Sequence, residues 1–382
     1  NSVMKISFLS KYTAFASLSI LFLLLAGNAV NAQGDGPRTF LLAPKGLWGI
    51  NPKGTFLNQN FLPSGDILIK DADINVNVVP TTLFHTFSIG GRFAQAMFMI
   101  NPGSANGSVV ANAPGVPAPH VNASGFGDGF VGLKVGLIGA PALNVMEFAK
   151  HIPAFSMNGY FRVWYSGTYD HKKPLNLGTH RTTFEIGFPM AIPLSKNVKR
   201  ATWLEVYPSV RLYTTNKNPT LVTQANESHQ VPLYILENHL THNFSTKFWA
   251  GVDLRYQYGG ALELDDVKQD NTVNILGGSI SAGYQALPFL SFSANYGGIL
   301  AGDNDARSNM FRISAVFIYV NTKKLKAQAK PVATASVVAA PVVTEPVTPA
   351  PVSVMPVVVT DTDNDGVPDA DDKCPKLPGI AA

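Results

Sequence analysis

The acidic run Asp361-Thr362-Asp363-Asn364-Asp365-Gly366-Val367-Pro368-Asp369-Ala370-Asp371-Asp372 has the residue types and the spacing to hold a divalent cation. Carboxylates stand at loop positions 1, 3, 5, 9 and 12, as Asp361, Asp363, Asp365, Asp369 and Asp372. Gly366 occupies position 6, and position 7 offers the Val367 carbonyl. Calcium takes six to eight oxygen ligands, and the turn at position 6 wants glycine. Ca2+ is therefore the expected cofactor. Position 12 is Asp372 rather than Glu, a shorter bidentate ligand. The plain alternative is a solvated acidic tail.

A second chemical set is Arg162, Glu185, Glu205, Arg211, Glu237, His239, Asp253, Arg255 and Arg312. Each interrupts an apolar segment at an alternate position. On a strand, alternate positions share a face. Such a set predicts the lumen lining of a barrel, where mixed charges either select solutes or pair and close the passage. His239 has Glu237 two residues away on the same face, the types of a base and its orienter. No serine is placed beside them by the sequence, so no enzyme is expected. Gly125-Phe126-Gly127-Asp128-Gly129 fails as a nucleotide loop, because its third glycine is misplaced and no helix follows.

The elements that must carry these residues read as paired strands. From about Trp48 to Val320 the chain alternates with period 2 in segments of about ten residues. Leu204, Val206, Val210 and Leu212 oppose Glu205, Ser209 and Arg211. Val252, Leu254, Tyr256 and Tyr258 oppose Asp253, Arg255 and Gln257. Met157, Phe161, Val163 and Tyr165 oppose Asn158, Arg162 and Ser166. Phe311, Ile313, Ala315, Phe317 and Tyr319 oppose Arg312 and Ser314.

A soluble sandwich also alternates. Two signals favour a membrane barrel instead. Tyr165, Tyr258, Tyr284 and Tyr319 sit near strand ends on the apolar face, as in an interfacial girdle. Connections also alternate in length. Short turns are expected at Gly90-Gly91, Ser195 to Arg200, Asn243 to Lys247 and Ala286 to Phe289. Long polar loops are expected near 102–124, 168–181, 215–230, 259–271 and 301–308, with Gly139 to Pro153 as a long exception on the short-turn side. The expected fold class is all-β: an antiparallel transmembrane β-barrel of about twelve strands. Closure removes the exposed edges that lipid forbids.

Composition agrees. Of 382 residues only 14% are charged, against roughly 25% in a soluble domain, while 46% are hydrophobic. After the N-terminus no stretch approaches the ~20 apolar residues of a membrane helix. A net charge of +4 is small for this length and speaks against nucleic acid. The single cysteine, Cys374, leaves no internal disulfide framework.

The ends are different in kind. Residues 4–32 read as a secretory signal peptide: Met4 and Lys5 open a basic region, Ala14 to Ala26 forms a short apolar core, and Val30 and Ala32 suit a cleavage site before Gln33. The barrel is assigned to 33–322. Residues 323–359 read as a disordered, semi-rigid Pro/Ala/Val-rich spacer on the periplasmic side, and 360–379 as the calcium loop. The sequons at Asn106 and Asn226 are read as chance.

Two resemblances add to this. The stretch Gly139-Ala140-Pro141-Ala142-Leu143 with Glu147-Phe148-Ala149-Lys150, Asn176-Leu177-Gly178-Thr179-His180-Arg181, and the pair Gly127-Asp128 before the fourth strand resemble the outer-membrane family of the MetA pathway of phenol degradation, over about 45–320. That resemblance implies a barrel that transports small, often aromatic solutes and carries no catalytic residues. The acidic run with Lys373-Cys374-Pro375 resembles a thrombospondin type 3 repeat preceding an OmpA-type peptidoglycan-binding domain. That repeat implies a second cysteine soon after the first, and no other occurs before Ala382. The expected function is a channel for small solutes in the cell outer membrane, with lipid and solute as partners. The alternative is an anchor that tethers the envelope to peptidoglycan through a following domain.

Overall fold

The computed structural model describes residues 34–109, 120–195 and 197–320. The chain divides into two units, 1–329 and 330–382, and every described residue lies in the first. The segments read from sequence as a signal peptide, a spacer and a calcium loop lie outside the described residues.

Twelve antiparallel strands close into a barrel. In chain order they are β1 (Leu47–Gln59), β2 (Asp73–Val78 and Thr81–Ile89), β3 (Arg92–Ser108) and β4 (Val121–Ile138). Next come β5 (Ser156–Tyr165), β6 (Thr183–Gly187 and Met190–Pro193), β7 (Thr202–Tyr213) and β8 (Leu233–Asn243). The last four are β9 (Phe248–Gly259), β10 (Val273–Leu287), β11 (Leu290–Gly302) and β12 (Ser308–Val320). Each strand pairs with its sequence neighbour, and β12 closes on β1 with Trp48 opposite Tyr319 and Leu57 opposite Met310. Among the described residues no helix is long and apolar enough to cross a membrane.

Two strands are broken at proline. Pro80 divides β2 and Pro189 divides β6, where a missing N–H removes one rung of the ladder. Each proline carbonyl still accepts a neighbour's amide, from Lys53 at 3.0 Å and Asn158 at 2.9 Å, so pairing resumes in the same ring of strands.

The faces follow the alternation. Leu254 is 43% exposed and Gln257 is 4% exposed on the same strand, β9. Phe311, Ile313, Phe317 and Tyr319 point outward from β12, whereas Arg312 and Ser314 are buried. Tyr258 and Tyr284 are also exposed. Trp48 stacks on His85 with ring centroids 4.2 Å apart, which gives His85 a place in the outer aromatic band.

Several expectations are corrected. Both ends of the loop expected at 102–124 are strand: β3 runs to Ser108 and β4 starts at Val121. Gly127 and Asp128 therefore lie inside β4, not before it. Here the polar residues face out, with Asn75, Asn77, Asn122 and Ser124 exposed, while Ile74, Val76, Val78 and Ala105 are buried inside. Strand ends that rise above the lipid gain by turning polar groups to water and apolar groups inward. The loop expected at 259–271 contains a small hairpin, Leu262–Leu264 with Val267–Lys268, turned by Asp265 and Asp266 at φ of 46° and 64°.

The interior is not a uniformly polar lumen. Three apolar clusters fill parts of it. One joins Leu57, Ile74, Val76 and Met310 to Leu175 and Leu177 from the loop after β5. A second joins Phe61 and Leu68 from the loop after β1 to Leu233, Ile235, Val273 and Ile275. The third packs Phe40 against Met97, Met99, Phe130, Tyr160 and Tyr207. Phe40 belongs to residues 34–46, expected as the plain start of the barrel. That segment is instead folded into the lumen.

Candidate functional site

The site is a band of charge across the lumen, and its centre is Arg162. This residue is opposite Glu185 in the β5–β6 register. Its guanidinium donates to Glu185 Oε1 at 2.5 Å, to the Tyr207 hydroxyl at 3.1 Å and to Asp35 Oδ1 at 2.8 Å. It also lies over the rings of Tyr160 and Trp164, at 4.5 and 5.3 Å from their centroids. Glu185 is shared: Arg211 Nε donates to Oε2 at 2.9 Å and Trp164 Nε1 at 3.0 Å. Arg211 continues to both oxygens of Asp66, at 2.7 and 2.9 Å. Paired, hydrogen-bonded charges of this kind can be buried, whereas removing one partner typically costs about 3–5 kcal/mol.

The other half of the band is made by β8, β9 and β12. His239 sits between two carboxylates, Glu237 Oε1 at 2.9 Å and Asp253 Oδ1 at 2.7 Å. Ser279 Oγ donates to the second oxygen of Asp253 at 2.8 Å. Both ring nitrogens of His239 are thus occupied by acids, and neither is free to take a proton from a nucleophile. Arg255 Nε lies 4.0 Å from Glu237, too long for a hydrogen bond. Arg312 donates to Thr55 Oγ1 at 3.3 Å and to the Gly34 carbonyl at 2.8 Å. Among the described residues no group of three or more His, Cys, Asp or Glu is disposed to hold a metal ion.

The nine residues named from sequence thus meet in one lumen: Arg162, Glu185, Glu205, Arg211, Glu237, His239, Asp253, Arg255 and Arg312. What binds many of them is the segment that periodicity did not mark. Glu205 accepts the Arg38 amide at 2.7 Å and the Phe40 amide at 2.9 Å. Glu237 accepts the Gly36 amide at 3.1 Å. Lys53 Nζ donates to the Asp35 carbonyl at 2.6 Å, and Lys134 Nζ to the Thr39 carbonyl at 3.0 Å. The Arg38 guanidinium lies over the Trp249 ring at 4.6 Å and donates to Asn243. Phe40 is fully buried, 4.6 Å from the ring of Tyr207. Segment 34–40 is therefore a plug, held by wall side chains that grip its main chain.

Asp35, Arg38, Lys53, Asp66 and Lys134 were missed. Lys134 did carry a signal, since it stands alone between Leu133 and Val135 on β4. The others lie in the N-terminal segment, in a long loop, or on a strand without clean alternation.

Between the plug and the outer loops remains a cavity of about 160 Å³, lined by Asp35, Asp66, Glu185 and Arg211 among others. The lumen has a charged waist, occupied on one side by the N-terminal segment and on the other by residues of the loops after β1 and β5.

Residues 56–317 match the family described as Putative MetA-pathway of phenol degradation. The chain belongs to that family. Among solved structures, an outer-membrane channel of Pseudomonas putida F1 is similar at 15% identity and a TM-score of 0.60, over 75% of this chain and 100% of that one. At that identity the likeness is one of fold. Looser overlaps occur with the toluene transporter TodX of Pseudomonas putida, at 10% identity and a TM-score of 0.35 over 76% of this chain and 95% of that one. The transport unit of the autotransporter AIDA-I from Escherichia coli overlaps at 8% identity and a TM-score of 0.43, over 75% and 93% respectively. No curated protein sequence matches the chain.

In this phenol-degradation family barrel, the motifs that carried the resemblance are structural. Gly139 adopts φ +60°, and a Cβ there would stand 2.0 Å from the Phe155 carbonyl oxygen. The short helix α1 (Val145–Ala149) is capped reciprocally by Asn144 and Glu147. Asp128 anchors the loop after β5 by accepting from the amides of Gly167 and Thr179, both at 3.0 Å, and from Thr179 Oγ1 at 2.7 Å. Asn176 braces the same loop by bonding Asp170 and Lys173.

Proposed function

We propose that the protein is an outer-membrane channel for small hydrophobic or aromatic solutes, closed here by its own N-terminal segment. The observation that carries this is the mode of attachment of residues 34–40. The plug hydrogen-bonds wall side chains and no strand of the ladder, so it can leave without opening the barrel. Membership in a phenol-degradation family supports the solute class, and the likeness to an outer-membrane channel supports the fold. The aromatic lining of the waist, with Phe130, Tyr160, Trp164 and Tyr207 around Arg162, suits a flat apolar solute once the plug has moved. No nucleophile–base pair accompanies His239, so the reading needs no reaction.

Planar-bilayer recording tests it. The full-length protein should show rare, small conductance steps, and a variant lacking residues 34–41 should show larger and longer ones. Silence from both would favour the second reading, a membrane anchor, for which a filled lumen is equally suitable.

The proposal extends to the tail. Its support is the spacing of Asp361, Asp363, Asp365, Val367, Asp369 and Asp372 around Gly366, which suits one calcium ion. The even strand number, which leaves both barrel ends on the short-turn side, supports a periplasmic position for the tail.

A further inference from the structure

Beyond the charged waist, the loops after β1, β5, β7 and β9 line a second, partly open cavity of about 390 Å³. That is the lower end of the size range of small-molecule sites. Much of its wall is apolar, including Leu62, Leu177, Val222 and Leu264. Tyr169, whose ring stacks on His180 with centroids 4.6 Å apart, closes one side.

A buried cation stands in this wall. Arg181 is buried at 7% exposure. Its NH1 donates to Gln230 Oε1 at 3.0 Å and its NH2 to Ser228 Oγ at 3.1 Å, both neutral acceptors. Its Nε has no hydrogen-bond partner among the described residues. The carboxylates that act on it from further off are already engaged: Asp66 holds Arg211, and Asp128 holds Gly167 and Thr179. Burial draws the Arg181 pKa below its ordinary value, against the weaker opposing pull of Tyr213, Asp128 and Asp66. Guanidinium stays charged under all ordinary conditions. A buried, charged fork without a carboxylate is matched by a ligand that brings one. Lys70 and Asp270, also at this cavity, neutralise each other at 2.7 Å and leave Arg181 as the unbalanced charge.

We propose that this outer cavity binds a small aromatic carboxylate, with its anionic end on Arg181 and its ring against Leu62, Leu177, Val222 and Tyr169. The site lies on the loop side of the waist. Binding there does not depend on the channel reading, which is needed only for the bound solute to pass inward.

Isothermal titration of the full-length protein in detergent with sodium benzoate tests the proposal. One saturable site per chain is expected. Benzyl alcohol, which keeps the ring and lacks the charge, should bind at least about tenfold more weakly, and so should acetate, which keeps the charge and lacks the ring. Arg181→Gln should lower benzoate affinity by a similar factor. Val222→Trp should abolish binding by filling the cavity while leaving Arg181 in place, and it covers the case in which Arg181→Gln misfolds. Gel heat-modifiability shows whether each variant is a closed barrel. No saturable benzoate binding up to about 10 mM, well past the millimolar range of a weak site, overturns the proposal. So does equal binding of benzyl alcohol, or wild-type affinity in Val222→Trp. Conductance in potassium chloride, measured on the full-length protein and on the variant lacking residues 34–41, separates the two failures: conductance without benzoate binding removes this site alone, and binding with silence from both proteins removes the channel reading alone.

Discussion

Asp35 of the N-terminal segment is ion-paired at 2.8 Å with Arg162 of β5, although 127 residues separate them in sequence. Arg162 is also held by Glu185, so the plug shares an arginine with the wall rather than supplying its only counter-ion. Release of the segment leaves Arg162 paired, which keeps the open state within reach.

Weakening the grip on the plug should open the barrel. Glu205→Gln keeps the shape of the side chain, but the Arg38 and Phe40 amides bond separate oxygens of Glu205, so the single amide oxygen keeps one bond, now neutral, and the NH2 group cannot accept the other. The loss is about 2 kcal/mol, roughly a 30-fold shift toward the released plug. Single-channel recording should show a higher open probability than wild type. An unchanged open probability would mean that the segment does not gate.

The two faces should differ in tolerance. Leu254→Arg on the outer face of β9 should destabilise the protein by ~2–4 kcal/mol if the position lies near the bilayer midplane. Gln257→Leu should cost under about 1 kcal/mol, because Gln257 Nε2 is buried without a partner and the amide contributes little. Urea unfolding in lipid, followed by tryptophan fluorescence, measures both. Similar losses for the two would reverse the assignment of faces.

Acid should loosen the outer loops. Amide bonds from Glu227 and Asn226 hold the Asp265 carboxyl below its ordinary pKa. A depressed carboxylate stabilises the fold above its unfolded pKa, near 3.8, and that contribution is lost as pH falls through the lower folded value. The tie between the loops after β7 and β9 should therefore hold at neutral pH and fail in strong acid. Asp265→Asn should mimic that failure at pH 7, read as faster proteolytic nicking near residues 225–227. Equal nicking of variant and wild type at pH 7 would count against the tie.

Calcium should bind the tail once per chain. Repulsion among the carboxylates of 361–372 should oppose a compact loop until a divalent ion supplies the bonds that so short a segment cannot draw from a core. Titration of the full-length protein should give a dissociation constant on the order of 10⁻⁴–10⁻³ M. Asp361→Ala or Asp372→Ala should weaken binding sharply, and Asn364→Ala should leave it intact. Absence of heat up to several millimolar would reduce the segment to an acidic tail.

What the sequence by itself determined is the wall. Period-2 alternation assigns Leu254 to lipid and Arg255 to the lumen because a pleated strand has only two faces, and this rule needs no distant partner. The same local logic placed the short turns and the strand count. The plug was beyond its reach. Residues 34–46 have no period, and Asp35, Arg38 and Phe40 take their places largely from residues such as Arg162, Glu205 and Tyr207, more than a hundred residues away. The reversal at the outer strand ends was hidden for a related reason. Ile74 and Asn75 alternate as they would in lipid, but only the height of that strand relative to the membrane, together with Leu175 and Leu177 folding in from another loop, decides which face is apolar. Alternation sets the phase of a strand, and the tertiary environment on each side sets its sign.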